Sequence, residues 1–327
     1  MTCIYNCAIF RKRSVLKILG IVGNAKEIRG KEKVQEQTCR IKGGKNMKDN
    51  RFLQVLREAE EKKIAVGAVN IFNYLTADAA VTAAKELGVN LIIQTSAATV
   101  EHFGAQCLYD IVDAARKDAG ITVALHLDHC RDKELGKLCV DTGWDAVMMD
   151  FSQLPMEENI ANTREIARYA HEHGVAIEGE IGVISGVEEE ISSDREVSAS
   201  YEDTMEFVRR SEIDAIAPAI GTAHGIYKGV PKINFDLVER LGKEKTPIVI
   251  HGGSGLSAET FRRLIALGGR KVNISTLVKN AYLGATKELI LSDKKYAPIP
   301  FDTEVKKVVT QEIKKHLEVF SGLRMEF

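Results

Sequence analysis

The feature that most limits the fold of this chain is a strand–helix rhythm that repeats eight times between residues 48 and 292. Apolar, β-branched runs recur at I-A-V-G-A-V-N (64–70), N-L-I-I-Q-T-S (90–96), T-V-A-L-H-L-D (122–128) and D-A-V-M-M-D (145–150). They continue at A-I-E-G-E-I-G (176–182), A-I-A-P-A-I-G (215–221), P-I-V-I-H-G-G (247–253) and K-V-N-I-S-T (271–276). Helical patterns separate them, among them Ala77–Leu87, Gln106–Lys117, Glu158–His173 and Ala258–Leu267. Nearly continuous apolar strands alternating with helices describe a parallel sheet buried on both faces. Units spaced by roughly 25–35 residues predict an α/β fold, the (β/α)8 TIM barrel, which occupies about 250 residues. A doubly wound open sheet is the alternative, and the lack of a Gly-x-Gly-x-x-Gly after the first strand counts against it.

The chain has 327 residues, 45% of them hydrophobic, enough for one large barrel. Its net charge of −1 gives no electrostatic ground for expecting nucleic acid or an anionic membrane as partner. No apolar run reaches the ~18 residues of a transmembrane helix. Six cysteines without a Cys-x-x-Cys pattern fit free thiols in a reducing compartment, the cytoplasm. The charge is unevenly spread: residues 1–46 carry +8 and hold Cys3, Cys7 and Cys39, whereas the remainder carries −9. We therefore expect residues 1–46 to be a basic N-terminal extension, disordered or mis-annotated. Residues 47–327, opening on M-K-D-N-R-F, form the barrel domain.

A barrel of this kind places its chemistry at the C-terminal ends of the strands. Those ends read Asn70 and Asn73, Ser96, Asp128 and His129, Asp150 and Ser152, and Glu180. The last three give His224, then His251 with Gly252, Gly253 and Ser254, then Asn273, Ser275 and Thr276. Polar residues placed only to satisfy strand ends would scatter over both rims. His129, His224 and His251, on strands three, six and seven, match three neutral imidazoles around a catalytic zinc with one position left open. Asp128 is the natural acid/base beside them, and Asp150 and Glu180 are further ligands or groups that orient an imidazole. His126 is either a supporting or a plain core residue. H-G-G-S-G (251–255) and V-N-I-S-T (272–276) end the last two strands, where barrels commonly cradle a phosphate.

The acidic, hydroxyl-rich connection 183–202 is either a mobile lid or a solvated excursion. A Schiff-base mechanism needs a lysine pointing into the barrel. Lys271, at the start of the eighth run, is expected to lie outside it.

These motifs resemble the zinc-dependent class II fructose/tagatose-bisphosphate aldolases over residues 48–325. The resemblance rests on H-L-D-H-C (126–130), M-M-D-F-S (148–152), G-E-I-G-V-I-S-G-V-E (179–188), A-I-G-T-A-H-G-I-Y-K-G (219–229), H-G-G-S-G and V-N-I-S-T. It implies Asp128 as catalytic acid/base and Glu188 as the lid group that abstracts the α-proton. It implies zinc on His129, His224 and His251, with Asp150 and Glu180 serving a second or displaced metal position. It also implies dihydroxyacetone phosphate held by Gly225, Gly252, Gly253, Ser254 and Asn273, Ile274, Ser275 and Thr276. Asn73 and Ser96 complete the substrate-binding set, a sodium-like monovalent cation lies near the phosphate, and the enzyme is a homodimer or homotetramer. Ser185, Val183 and Val69 depart from the usual family residues, the first two within the lid. The expected activity is reversible aldol cleavage of a ketose 1,6-bisphosphate to dihydroxyacetone phosphate and an aldehyde such as glyceraldehyde 3-phosphate. A non-catalytic phosphosugar-binding barrel and an aldolase for another ketose phosphate are the alternatives.

Overall fold

The structure, a computed structural model, describes residues 46–188, 191–193, 197–224, 231–292 and 297–327, with backbone alone at 185–188, 191–193 and 224. The expected extension at 1–46 lies, apart from Asn46, outside the described residues. Helix α1 (Arg51–Lys62) leads into β1 (Val66–Asn70), α2 (Tyr74–Leu87), β2 (Leu91–Ser96), α3 (Ala97–Phe103) and α4 (Ala105–Arg116). Then follow β3 (Val123–Cys130), α5 (Lys133–Thr142), β4 (Ala146–Met149), α6 (Met156–Glu172) and β5 (Ala176–Ile181). A hairpin of β6 (Ser185–Glu188) and β7 (Ile191–Ser193) precedes α7 (Tyr201–Ser211), β8 (Ala215–Pro218), β9 (Ala223–His224) and α8 (Phe235–Leu241). The chain ends with β10 (Ile248–Ile250), α9 (Ala258–Ala266), β11 (Gly269–Ile274), α10 (Thr276–Leu291) and α11 (Pro298–Phe320).

Eight of these strands close into one barrel, in the order β1-β11-β10-β8-β5-β4-β3-β2, and every pairing is parallel. This is the expected (β/α)8 architecture, and the closed order excludes the open doubly wound sheet. Side chains alternate across each strand. Leu91, Ile93, Leu125, Leu127, Val147, Ile177, Ile216, Ile250, Val272 and Ile274 face outward into the large core beneath the helices. Ala68, Ile92, Ala124, Ala146, Met148, Ala176, Ala215, Ala217 and Val249 face inward as a separate cluster. That inner lining is mostly alanine, and the missing volume is supplied by α1, whose Phe52, Val55 and Leu56 join the same cluster. Asn50 anchors this plug: its Oδ1 caps α1 at Leu53 N, and its Nδ2 donates to the carbonyls of Asp145 (2.6 Å) and Gly174 (3.0 Å).

The connection after β5 is a β-hairpin rather than an irregular excursion. Val183 and Val197 exchange backbone hydrogen bonds of 2.9 and 3.1 Å across it. Strand β6 also pairs in parallel with β9, setting Gly186 opposite His224. The segment predicted as a lid is thereby tied by backbone to the strand that carries a predicted ligand.

Candidate active site

Asp128 and His129 are consecutive, so plain alternation would send them to opposite faces of β3. The β3–β4 register slips between Leu127 and Cys130, and His129 takes a left-handed backbone with φ 47°. Such a bulge re-aims a side chain at modest cost in strain. Here it brings both residues into the mouth, where each is buried.

His129 Nε2 lies 2.8 Å from His251 Nδ1, with the two rings near perpendicular at 85°. Asp128 joins them, with one donor atom from each residue within 4.8 Å of the others. Its carboxylate is held on both oxygens. Asn70 Nδ2 (3.0 Å) and Gln94 Nε2 (3.2 Å) reach Oδ2, and Asn273 Nδ2 (3.3 Å) reaches Oδ1. On the other side of the His129 ring, Nδ1 faces Asp150 Oδ2 at 3.6 Å and Glu180 Oε2 at 3.7 Å, a second cluster of the same reach. Ser152 Oγ bridges the two carboxyl groups, 2.7 Å from Asp150 and 3.0 Å from Glu180, and Arg131 pairs with Asp150 at 3.1 Å.

The electrostatics follow from this crowding. Burial alone would lower the His129 imidazole, but Asp128, Asp150 and Glu180 outweigh it and raise it to about 10. Burial, with Asp150 beside it, pushes the Glu180 carboxyl up to about 8. Burial also raises Asp150, yet its contacts with His129 and Arg131 dominate and hold it well below the usual carboxylate range. Burial lowers His251 to about 4, leaving it neutral. A buried pocket that holds a proton on both an imidazole and a carboxyl group is short of positive charge. Glu180 Oε2 is buried there without a hydrogen-bond partner among the described residues. A divalent cation fits both facts, replacing the proton and coordinating the free oxygen.

Beneath the mouth the structure departs from the sequence reading. Strand β11 begins at Gly269, two residues before Lys271, so alternation turns Lys271 inward, and its side chain is completely buried in the barrel. The expectation that Lys271 lies outside is overturned. Its Nζ nonetheless donates to Glu178 Oε2 at 2.9 Å, and that pairing rather than its position argues against a Schiff base. Glu178 and Gln94 are functional-looking residues that the sequence reading missed. His126 lies in this lower layer, 3.3 Å from Glu178 and stacked on Phe52 with ring centroids 5.3 Å apart.

The remaining predicted residues divide. Asn273, Ser254 and Ser275 are buried at the mouth, and Asn273 Oδ1 and Ser275 Oγ have no hydrogen-bond partner among the described residues. Gly252, Gly253 and Ile274 occupy the adjoining backbone, and Thr276 opens α10. Asn73 and Ser96 cap α2 and α3, accepting from the backbone of Thr76 and Thr99. Gly225 and the side chains of His224 and Glu188 lie outside the described residues.

A closed parallel barrel whose mouth gathers two groups of carboxylates and imidazoles that could hold a metal ion has the layout of a metal-dependent barrel enzyme. The family model for fructose-bisphosphate aldolase class-II matches residues 50–323. A fructose-bisphosphate aldolase of Staphylococcus aureus (strain Mu50) is 33% identical over 272 residues, covering 82% of this chain and 95% of that one. One from Geobacillus stearothermophilus is 36% identical over 245 residues, covering 73% and 85%. The crystal structure of the YdjI aldolase from Escherichia coli K12 superposes with a TM-score of 0.73 at 27% identity, covering 82% of this chain and 96% of that one. The chain belongs to the class II fructose-bisphosphate aldolase family. Among the described residues, no helix is long and apolar enough to cross a membrane.

Proposed function

We propose that this enzyme cleaves a ketose 1,6-bisphosphate of the fructose or tagatose type reversibly to dihydroxyacetone phosphate and an aldehyde such as glyceraldehyde 3-phosphate. The observation that carries the reading is the approach of His129 Nε2 and His251 Nδ1 to 2.8 Å beside the triply hydrogen-bonded Asp128. In this reading zinc is held by His129 and His251 with His224 as third ligand, and Asp150 and Glu180 offer a neighbouring position. When bound, the metal supplies positive charge beside the substrate carbonyl.

The chain's own residues then move the protons. Asp128 takes the proton of the C4 hydroxyl as the C3–C4 bond breaks and the aldehyde leaves. Its oxygens are already oriented by Asn70, Gln94 and Asn273, so little reorganisation precedes the transfer. Glu188, on the hairpin, returns a proton to C3 of the three-carbon fragment and completes dihydroxyacetone phosphate. The phosphate is received by Gly225, Gly252, Gly253, Ser254 and Ile274 through Thr276, at the N-terminus of α10. The buried, unpartnered Asn273 Oδ1 and Ser275 Oγ suit a polar ligand there. A sodium-like ion beside that phosphate and a homodimeric or homotetrameric assembly belong to the same reading.

The test is coupled detection of triose phosphate from fructose and tagatose bisphosphates, before and after chelation. Activity should vanish on metal removal and return with zinc. Turnover that survives complete metal removal would overturn the proposal.

A further inference from the structure

The metal-site reading accounts for the mouth of the barrel but not for the ion pair buried below it. Glu178 and Lys271 are both wholly inaccessible, and burying a charged pair contributes little stability compared with apolar packing. Their geometry points upward. Glu178 Oε2 receives the Lys271 ammonium at 2.9 Å, while Oε1 lies 2.8 Å from His251 Nε2. A carboxylate neutralised by an ammonium is an acceptor only, so the proton of this contact sits on His251 Nε2. The lone pair of His251 is then on Nδ1, the atom that faces His129 Nε2 at 2.8 Å.

We propose that Glu178 and Lys271 are positioning residues: Glu178 fixes His251 in its Nε2–H tautomer and presents Nδ1 as a preformed metal-binding lone pair, with Lys271 holding Glu178 ionised. This rests on the metal-site reading above. It also explains the placement of an interior lysine whose ammonium is paired with Glu178. Carboxylates that accept from a ligating imidazole in this way raise its basicity, and their loss weakens metal binding about ten- to a hundredfold.

The full chain, stripped of metal by chelation, gives two independent readouts. The first is the ¹⁵N spectrum of its histidine side chains above pH 7.5, assigned with His251→Ala. It should show His251 protonated on Nε2. The second is zinc affinity by competition with a chromophoric chelator. The Glu178→Gln, Lys271→Met double variant removes both charges together, and its metal-free form should melt cooperatively while binding zinc ten- to a hundredfold more weakly. An Nδ1–H tautomer in the wild type, or wild-type affinity in a folded double variant, overturns the proposal. Should the double variant fail to fold, the wild-type tautomer decides alone. His251→Ala separates the two readings. Unchanged zinc affinity in that variant defeats the metal site and this inference together. A normal loss there, with none in the double variant, defeats this inference only.

Discussion

His129 shows how far a single residue departs from the regular strand to serve the site. Its left-handed backbone and the register slip beside it let two neighbouring residues share one face. The motif H-L-D-H-C was legible because three titratable groups at the end of an apolar strand are hard to explain otherwise. Glu178 and Gln94 were not, because each sits inside an apolar run and reads as an interruption. Alternation through Ala176, Glu178 and Glu180 contains the clue, since residues two apart on a strand share a face. Lys271 was misjudged from the same source: an error of two residues in where the strand starts left it outside the barrel. Asp128 carries a prediction at this scale. Asp128→Asn preserves size and, with its amide oxygen in the place of Oδ2, the contacts from Asn70 and Gln94 while removing the base. We expect kcat to fall about 10²- to 10⁴-fold with zinc content unchanged. Parallel activity and metal analysis check it, and a coupled loss of zinc would reassign Asp128 as a ligand.

Among the elements, β9, like the hairpin strands β6 and β7, was announced by no sequence pattern. It is two residues long, and strand signals need several residues of alternation to be visible. Its position is fixed from two sides, by β6 in the hairpin and by Gly252 after β10. Gly252 has φ 67°, and a Cβ there would lie 2.6 Å from the carbonyl oxygen of Ala223, the residue before His224. A side chain at 252 therefore has to push the β9 backbone away while adopting a strained conformation itself. Gly252→Ala should destabilise the fold by about 1–3 kcal/mol. It should also raise KM for the bisphosphate and weaken zinc binding through the displaced His224. Urea denaturation with and without zinc measures the first effect and steady-state kinetics the second. A variant with wild-type KM and zinc affinity would show that β9 does not depend on this contact.

Along its axis the whole barrel is layered. Alanines and the α1 plug fill the bottom, the His126, Glu178 and Lys271 layer lies above them, and the metal-competent mouth is on top. The eightfold rhythm was readable because outward-facing strand positions must be apolar to receive the helices, whatever the interior does. The plug was not, since α1 looks like any amphipathic surface helix until the alanine lining shows that the interior lacks volume. Phe52 is fully buried and stacks on His126, joining the bottom layer to the ionic one. Phe52→Ala leaves a cavity that the surrounding alanines cannot fill, which predicts a loss of about 3–5 kcal/mol, against roughly 1 kcal/mol for Phe52→Leu. Since the ionic layer separates the plug from the mouth, folded Phe52→Leu should retain wild-type kcat and zinc affinity. Denaturant midpoints of the metal-free proteins test the stability ranking. A Phe52→Ala cost below about 1 kcal/mol would mean that the barrel closes without its plug.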